Sequence, residues 1–133
     1  MESTRQKISS YRDLVVWQKA MDLVTEIYRA TSGFLREEMF GLTSQLRRSA
    51  VSGPSNIAEG QGRATKGEFI QFLSHARGSL FELETQIVIS GRLGYFPSEL
   101  EVALAAKAEE VARILNGLLT SLGVASRKLS TTH

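Results

Sequence analysis

Cysteine is absent from the 133 residues, which removes disulfides, thiolate nucleophiles and cysteine-ligated zinc or iron–sulfur centres together and agrees with a reducing compartment. Proline occurs only at Pro54 and Pro97, so little in the chain forces a helix to end and long elements are expected. Histidine is just as scarce, with His75 and His133 alone. Di-iron sites of helical bundles need Glu-x-x-His pairs on two helices, but Phe72 stands three residues before His75, and His133 is the last residue. Two histidines build no convincing Ser-His-Asp arrangement, and Glu82 and Glu84 point to different faces of a helix. These absences lead us to expect no catalytic residue, no metal and no cofactor.

Long apolar runs are missing too. The longest uncharged stretch, Ile114 to Ser126, is 13 residues, short of the roughly 20 that span a bilayer. The segment Met1-Glu2-Ser3-Thr4-Arg5-Gln6-Lys7 has no apolar core of a secretory signal, so a cytoplasmic protein with no membrane partner is expected. Neither sign of charge dominates: 16 Lys and Arg against 14 Asp and Glu give a formal +2, too mild to name nucleic acid as a partner. Its distribution is uneven. Between Met39 and Arg77 the cations Arg47, Arg48, Arg63, Lys66 and Arg77 outnumber Glu59 and Glu68 by three. Between Gly78 and Val111, Glu82, Glu84, Glu99, Glu101, Glu109 and Glu110 outnumber Arg92 and Lys107 by four.

What is present is an ordinary globular composition, 42% hydrophobic and 23% charged, arranged with helical periodicity. Trp17, Ala20, Met21, Val24, Ile27 and Tyr28 fall on one stripe of a first helix from Asp13, a suitable N-cap, to Ser32. A second helix is predicted from Arg36 or Glu37 to Gly60 or Gly62, with Met39, Leu42, Leu46, Ala50, Gly53 and Ile57 facing inward. Pro54 removes the N–H owed to the Ala50 carbonyl, and the spacing predicts a kink there instead of a break. Thr65-Lys66-Gly67-Glu68 fits a capping box ahead of a third helix, Lys66 to Leu93, carrying Phe69, Phe72, Leu73, Ala76, Leu80, Leu83 and Ile87. Ser98 to Glu101 repeats that pattern before a fourth helix ending near Val124. Short connections make neighbours antiparallel, so the expected fold is all-α: an up-down-up-down four-helix bundle over residues 13–125, with flexible segments at 1–12 and 126–133.

Two further features bear on function. Ile70, Phe81 and Val88 form a second apolar stripe on the third helix, joined by Val16 and Leu23 seven residues apart on the first; an uncovered stripe of this kind marks an oligomer interface. The alternative is that these residues close a wide core between the first and third helices. Between Ser44 and Arg63, the residues Arg48, Ser52, Asn56, Glu59 and Arg63 align as a polar stripe beside the small residues Ser49, Ala50, Ser52, Gly53 and Ser55. A structural role is expected for Ser52, Asn56 and Glu59, with Asn56 and Glu59 bonding backbone groups freed by Pro54, while Gly53 and Gly78 answer to close packing or the kink. Gly60-Gln61-Gly62 opens like a dinucleotide fingerprint but follows a helix and has Thr65 in place of the third glycine, so it is set aside.

This segment, with Tyr11 to Ala20 (Asp13-Leu-x-x-Trp17-Gln-Lys-Ala20) before it and Phe72 to Gln86 (Gly78-Ser79 and Glu82-Leu-Glu84) after it, resembles the bacterial 23S ribosomal RNA intervening-sequence proteins from about Tyr11 to Leu122. Gly53 departs from the family's more usual β-branched residue. The resemblance implies an antiparallel four-helix bundle, a ring-like homopentamer and no established catalysis. It also implies similarity to the accessory variability protein of diversity-generating retroelements, a basic bundle pentamer that binds nucleic acid and a reverse transcriptase. The expected function is therefore a homo-oligomeric nucleic-acid-binding or scaffold module. Its phosphate contacts would be Arg47, Arg48, Arg63, Lys66 and Arg77, with RNA or DNA as possible partner beside the protein itself. Arg63 and Lys66 converge on the positive end of the third helix, about 22 Å from Arg47 and Arg48. The competing expectation is a protein-interaction module with no nucleic-acid role.

Overall fold

The computed structural model describes residues 10–38 and 40–125. Four helices carry most of them: α1 (Val15–Thr31), α2 (Leu42–Gln61), α3 (Lys66–Arg92) and α4 (Ser98–Ser121), with 3-10 turns at Tyr11–Asp13 and Arg36–Glu38 and no strand among the described residues. Residues 1–9 and 126–133, expected to be flexible, and Met39 of the predicted inward stripe lie outside the described residues.

The ends of the helices depart from expectation for local reasons. Asp13 does not cap α1; its carboxylate accepts the Ser10 N–H at 3.2 Å while the Ser10 hydroxyl accepts the Arg12 N–H, so both residues close the turn before the helix. Residues 10–12 thus belong to the bundle, and Tyr11 packs edge-on against Trp17 with ring centroids 5.2 Å apart. The second helix starts later than predicted, at Leu42, because Gly41 at ψ −110 is not helical. Glu38 caps it from outside: one carboxylate oxygen accepts the Leu42 N–H at 3.1 Å and the other accepts the Tyr95 hydroxyl at 2.7 Å. Those donors, the hydroxyl first, hold the Glu38 carboxyl below the ordinary glutamate range. At the start of α3, Thr65 Oγ1 accepts the Glu68 N–H at 3.1 Å, as the capping motif requires. The second such motif is not formed. Pro97 occupies the N-cap of α4, and the Glu101 carboxylate lies instead against Gly91.

The helix α2 continues unbroken through Pro54, whose ring is buried. Asn56 and Glu59 do not serve the freed Ala50 carbonyl: Asn56 donates to the Ser52 carbonyl at 2.9 Å, and Glu59 pairs with Arg63 at 2.7 Å. Side chains bond one turn along the helix more readily than they reach back past a proline ring.

Sequential helices pack together and α1 closes onto α4, leaving α1 and α3 diagonal. Contacts across α2 and α3 run Ser49 to Gln86, Ser52 to Ser79 and Gly60 to Phe72, so one number rises as the other falls and the pair is antiparallel. Across α3 and α4 the contacts Arg77–Asn116 and Gly91–Glu101 give the same sense. The core between the four is continuous, from Ile27, Leu46 and Ile57 through Leu73, Leu83 and Ile87 to Leu104, Leu115 and Leu119. Around Gly53 and Pro54 it leaves about 10 Å³, the room of a single water, so the interior holds no ligand cavity there.

Burial corrects the stripe assigned to the first helix. Val16 and Leu23, expected at an oligomer interface, are core residues at 2% and 3% exposure, while Met21 and Tyr28, expected inside, face outward. Two apolar stripes one residue out of phase run along this helix, and α2 and α4 cover the one that ends at the buried Thr31. Gly53 and Gly78 are also reassigned, since a Cβ at either meets nothing within 4 Å. Close packing belongs to Gly60, where a Cβ would lie 2.8 Å from the Phe72 Cβ. Gly60→Ala is therefore expected to destabilise by about 1–3 kcal/mol through overpacking. Gly53→Ala and Gly78→Ala should each stabilise by about 0.5–1 kcal/mol through helix propensity. Denaturant midpoints of the three variants check both signs.

Candidate oligomer and nucleic-acid surfaces

The small residues of α2 allow α3 to approach, and polar side chains then meet across the seam. Ser49 donates to Gln86 Oε1 at 2.7 Å, the Ser52 and Ser79 hydroxyls are 2.7 Å apart, and Asn56 Nδ2 also donates to the Ser52 hydroxyl at 3.0 Å. Gln86 in turn donates to Glu82, whose carboxylate stands 3.5 Å from the Arg48 guanidinium; Arg48 also contacts Gln45. The predicted polar stripe is thus real in its upper half as a helix-to-helix connection. Ser79 and Gln86 were missed in the sequence, although Gln86 interrupts an otherwise apolar inward stripe, which is the signal of a buried polar partner.

The five cations assigned to phosphate contact do not form one cluster. Arg47 turns toward α1, donating to the Thr31 hydroxyl at 2.8 Å and lying 4.4 Å over the Tyr28 ring. Its neighbour Arg48 turns the other way, to α3. Arg63 pairs with Glu59 and lies 4.7 Å over the Phe72 ring, and Arg77 donates to Asn116 at 3.2 Å. Lys66 is exposed on the first turn of α3 and has no partner among the described residues. Arg63 and Lys66 do share one end of the bundle, but Glu59 already answers Arg63, and Thr65 already occupies the Glu68 N–H. The stacking of Arg47 on Tyr28 joins residues nineteen apart, and no local pattern announces it.

Of the expected interface, Phe81 and Val88 are exposed at 50% and 40%, and Ile70 is half-buried against the core. Glu84 falls between Phe81 and Val88 on the same face of α3, at i+3 and i−4, a spacing visible in the sequence but not used there. Across the groove it meets Glu109 of α4, in register with the Arg77–Asn116 contact. Neither carboxylate forms an ion pair among the described residues.

The family model of the 23S rRNA-intervening sequence protein matches residues 12–117. The chain belongs to this family. A solved structure from Bacteroides thetaiotaomicron, described as a protein of unknown function from the S23 ribosomal protein family, superimposes with a TM-score of 0.75 at 22% identity. It covers 80% of this chain and 96% of its own, and it shows the fold alone. No curated protein matches the chain. No helix is long and apolar enough to cross a membrane among the described residues.

Burial first, and then the facing Glu109 carboxylate, raise the Glu84 carboxyl above the ordinary glutamate range. A raised carboxyl pKa means that the folded subunit holds the proton more tightly than the unfolded chain, so ionised Glu84 weakens the fold near neutrality and this penalty fades as the pH falls through the raised value. Glu84 is half-buried, and the solvent that still reaches it screens the effect. For the isolated subunit in dilute solution, Glu84→Gln should stabilise by roughly 0.5 kcal/mol at pH 7, with the gain lost as the pH falls through the raised value into the ordinary glutamate range. Thermal melts of both proteins across that range measure it.

Proposed function

We propose that this protein is a non-catalytic, cytoplasmic, homo-oligomeric bundle, with five copies as the assembly, acting as a nucleic-acid-binding or scaffold module. The observation that carries the proposal is the exposure of Phe81 and Val88 two turns apart on one face of α3, apolar area that a second copy would remove from water at about 25 cal/mol per Å². Assembly also supplies what one subunit lacks. Lys66, Arg63, Arg47, Arg48 and Arg77 are too scattered to hold a nucleic acid alone, but five copies repeat each contact at high effective concentration.

A second reading is favoured by the ion pairs Arg48–Glu82 and Arg63–Glu59, which neutralise two of the five cations: a protein-interaction module without nucleic acid. Salt decides between them. Phosphate binding should weaken steeply from 50 to 200 mM salt in proportion to the contacts made. Arg63→Ala with Lys66→Ala, and separately Arg47→Ala with Arg48→Ala, should reduce RNA or DNA affinity at fixed salt. Unchanged affinity in both, or a flat salt response, leaves the protein-interaction module. The native mass in solution should be a multiple of 14.7 kDa, five-fold for the pentamer. A strictly monomeric species at micromolar concentration would refute the interface.

A further inference from the structure

Because each helix packs on its neighbours in chain order, the outer groove between α1 and α2 lies on the opposite side of the bundle from the groove between α3 and α4. The two grooves are chemically complementary. On α3, Glu84 lies between exposed Phe81 and Val88 and faces Glu109 of α4, and neither carboxylate forms an ion pair among the described residues. On α1 and α2, a shallow groove of about 410 Å³ is lined by Tyr28, Thr43, Ser44, Arg47, Arg48 and Val51. Arg47 there bonds a hydroxyl and a carbonyl and stacks on exposed Tyr28, but it has no carboxylate partner among the described residues. Exposed Val51 adds apolar area, and the buried Thr43 hydroxyl has no partner among the described residues.

Covering Phe81 and Val88 with an apolar surface alone would strip water from Glu84 and leave it uncompensated, which is costly. The occupant must therefore bring a cation together with apolar area, and the Tyr28–Arg47–Val51 groove, on the opposite side of the bundle, offers both. We infer that copies of this chain assemble head to tail, the α3/α4 groove of one subunit receiving the α1/α2 groove of the next, with Arg47 set against Glu84 and Glu109. This rests on the self-association proposed above and specifies its geometry. Two different faces meeting in this way form a closed ring when the rotation between subunits closes, whereas one face meeting itself stops at a pair.

The experiment uses variants that each spoil one face: Phe81→Glu on the acidic groove, and Arg47→Glu or, independently, Val51→Glu on the basic groove, all checked for unchanged helix content by circular dichroism. Each variant alone should fall from the wild-type assembly to the 14.7 kDa single chain. Mixed in equal amounts, the Phe81→Glu chain keeps its basic groove and the Arg47→Glu chain keeps its acidic one. One sound interface remains, and the mixture should form pairs of twice 14.7 kDa and nothing larger. Glu84→Gln should weaken assembly while stabilising the isolated subunit, opposite signs that a packing role would not produce. If the wild type assembles but Arg47→Glu and Val51→Glu keep its mass, or the mixture stays as single chains, the head-to-tail arrangement is wrong. A wild-type protein that is itself monomeric overturns self-association altogether.

Discussion

The approach of α2 to α3 at Gly60 sets the rest of the bundle. With no Cβ at that position, the Phe72 Cβ and the Phe69 ring come within contact of the α2 backbone, and two helices that meet so closely have little freedom to slide. Further along the seam, Ser52 meets Ser79, Ser49 meets Gln86, and Arg48 meets Glu82, a polar register that favours one alignment over its neighbours. Once that register is taken, Leu73, Ala76, Leu80 and Leu83 turn to the core. Phe81 and Val88 are left on the flank next to α4.

The same geometry sorts the charge. A surplus of cations between Met39 and Arg77 and of carboxylates between Gly78 and Val111 is only a sequence asymmetry until helices are placed. In the bundle, Arg47, which has no carboxylate partner among the described residues, and Glu84 and Glu109, which form no ion pair among them, lie on opposite sides. They cannot satisfy one another within a subunit. Charges that are exposed and solvated cost little in this state, and it is the burial of their apolar neighbours by another surface that would make their pairing matter. The filled interior, by contrast, gives this member of the intervening-sequence family nowhere to hold a small ligand around Gly53 and Pro54.

Much of the architecture was legible because helical periodicity and capping are local. The four helices, the Thr65 cap, the long α3 and the passage of α2 through Pro54 follow from side chains within a few residues of one another. Ends were less legible: Leu42 is capped by Glu38, and Glu38 is steadied by Tyr95 fifty-seven residues away, a bond that no window around Leu42 contains. The candidate site was legible in part. Phe81 and Val88 were named from spacing alone and are exposed, whereas Val16 and Leu23 obey the same spacing and are core.

That last pair marks the division between the two levels. The amino-acid sequence determined which faces of each helix are apolar, since residues three and four apart share a face whatever surrounds them. Which of two apolar faces goes inward was decided by tertiary structure, because burial depends on the helices that cover a face: α2 and α4 close over Val16 and Leu23, while no helix among the described residues closes over Phe81. The partner of each charge was decided there too. Arg47 and Arg48 are adjacent in the chain, yet one lies on Tyr28 and the other meets Glu82, because consecutive residues of a helix point about 100° apart and so face different neighbours.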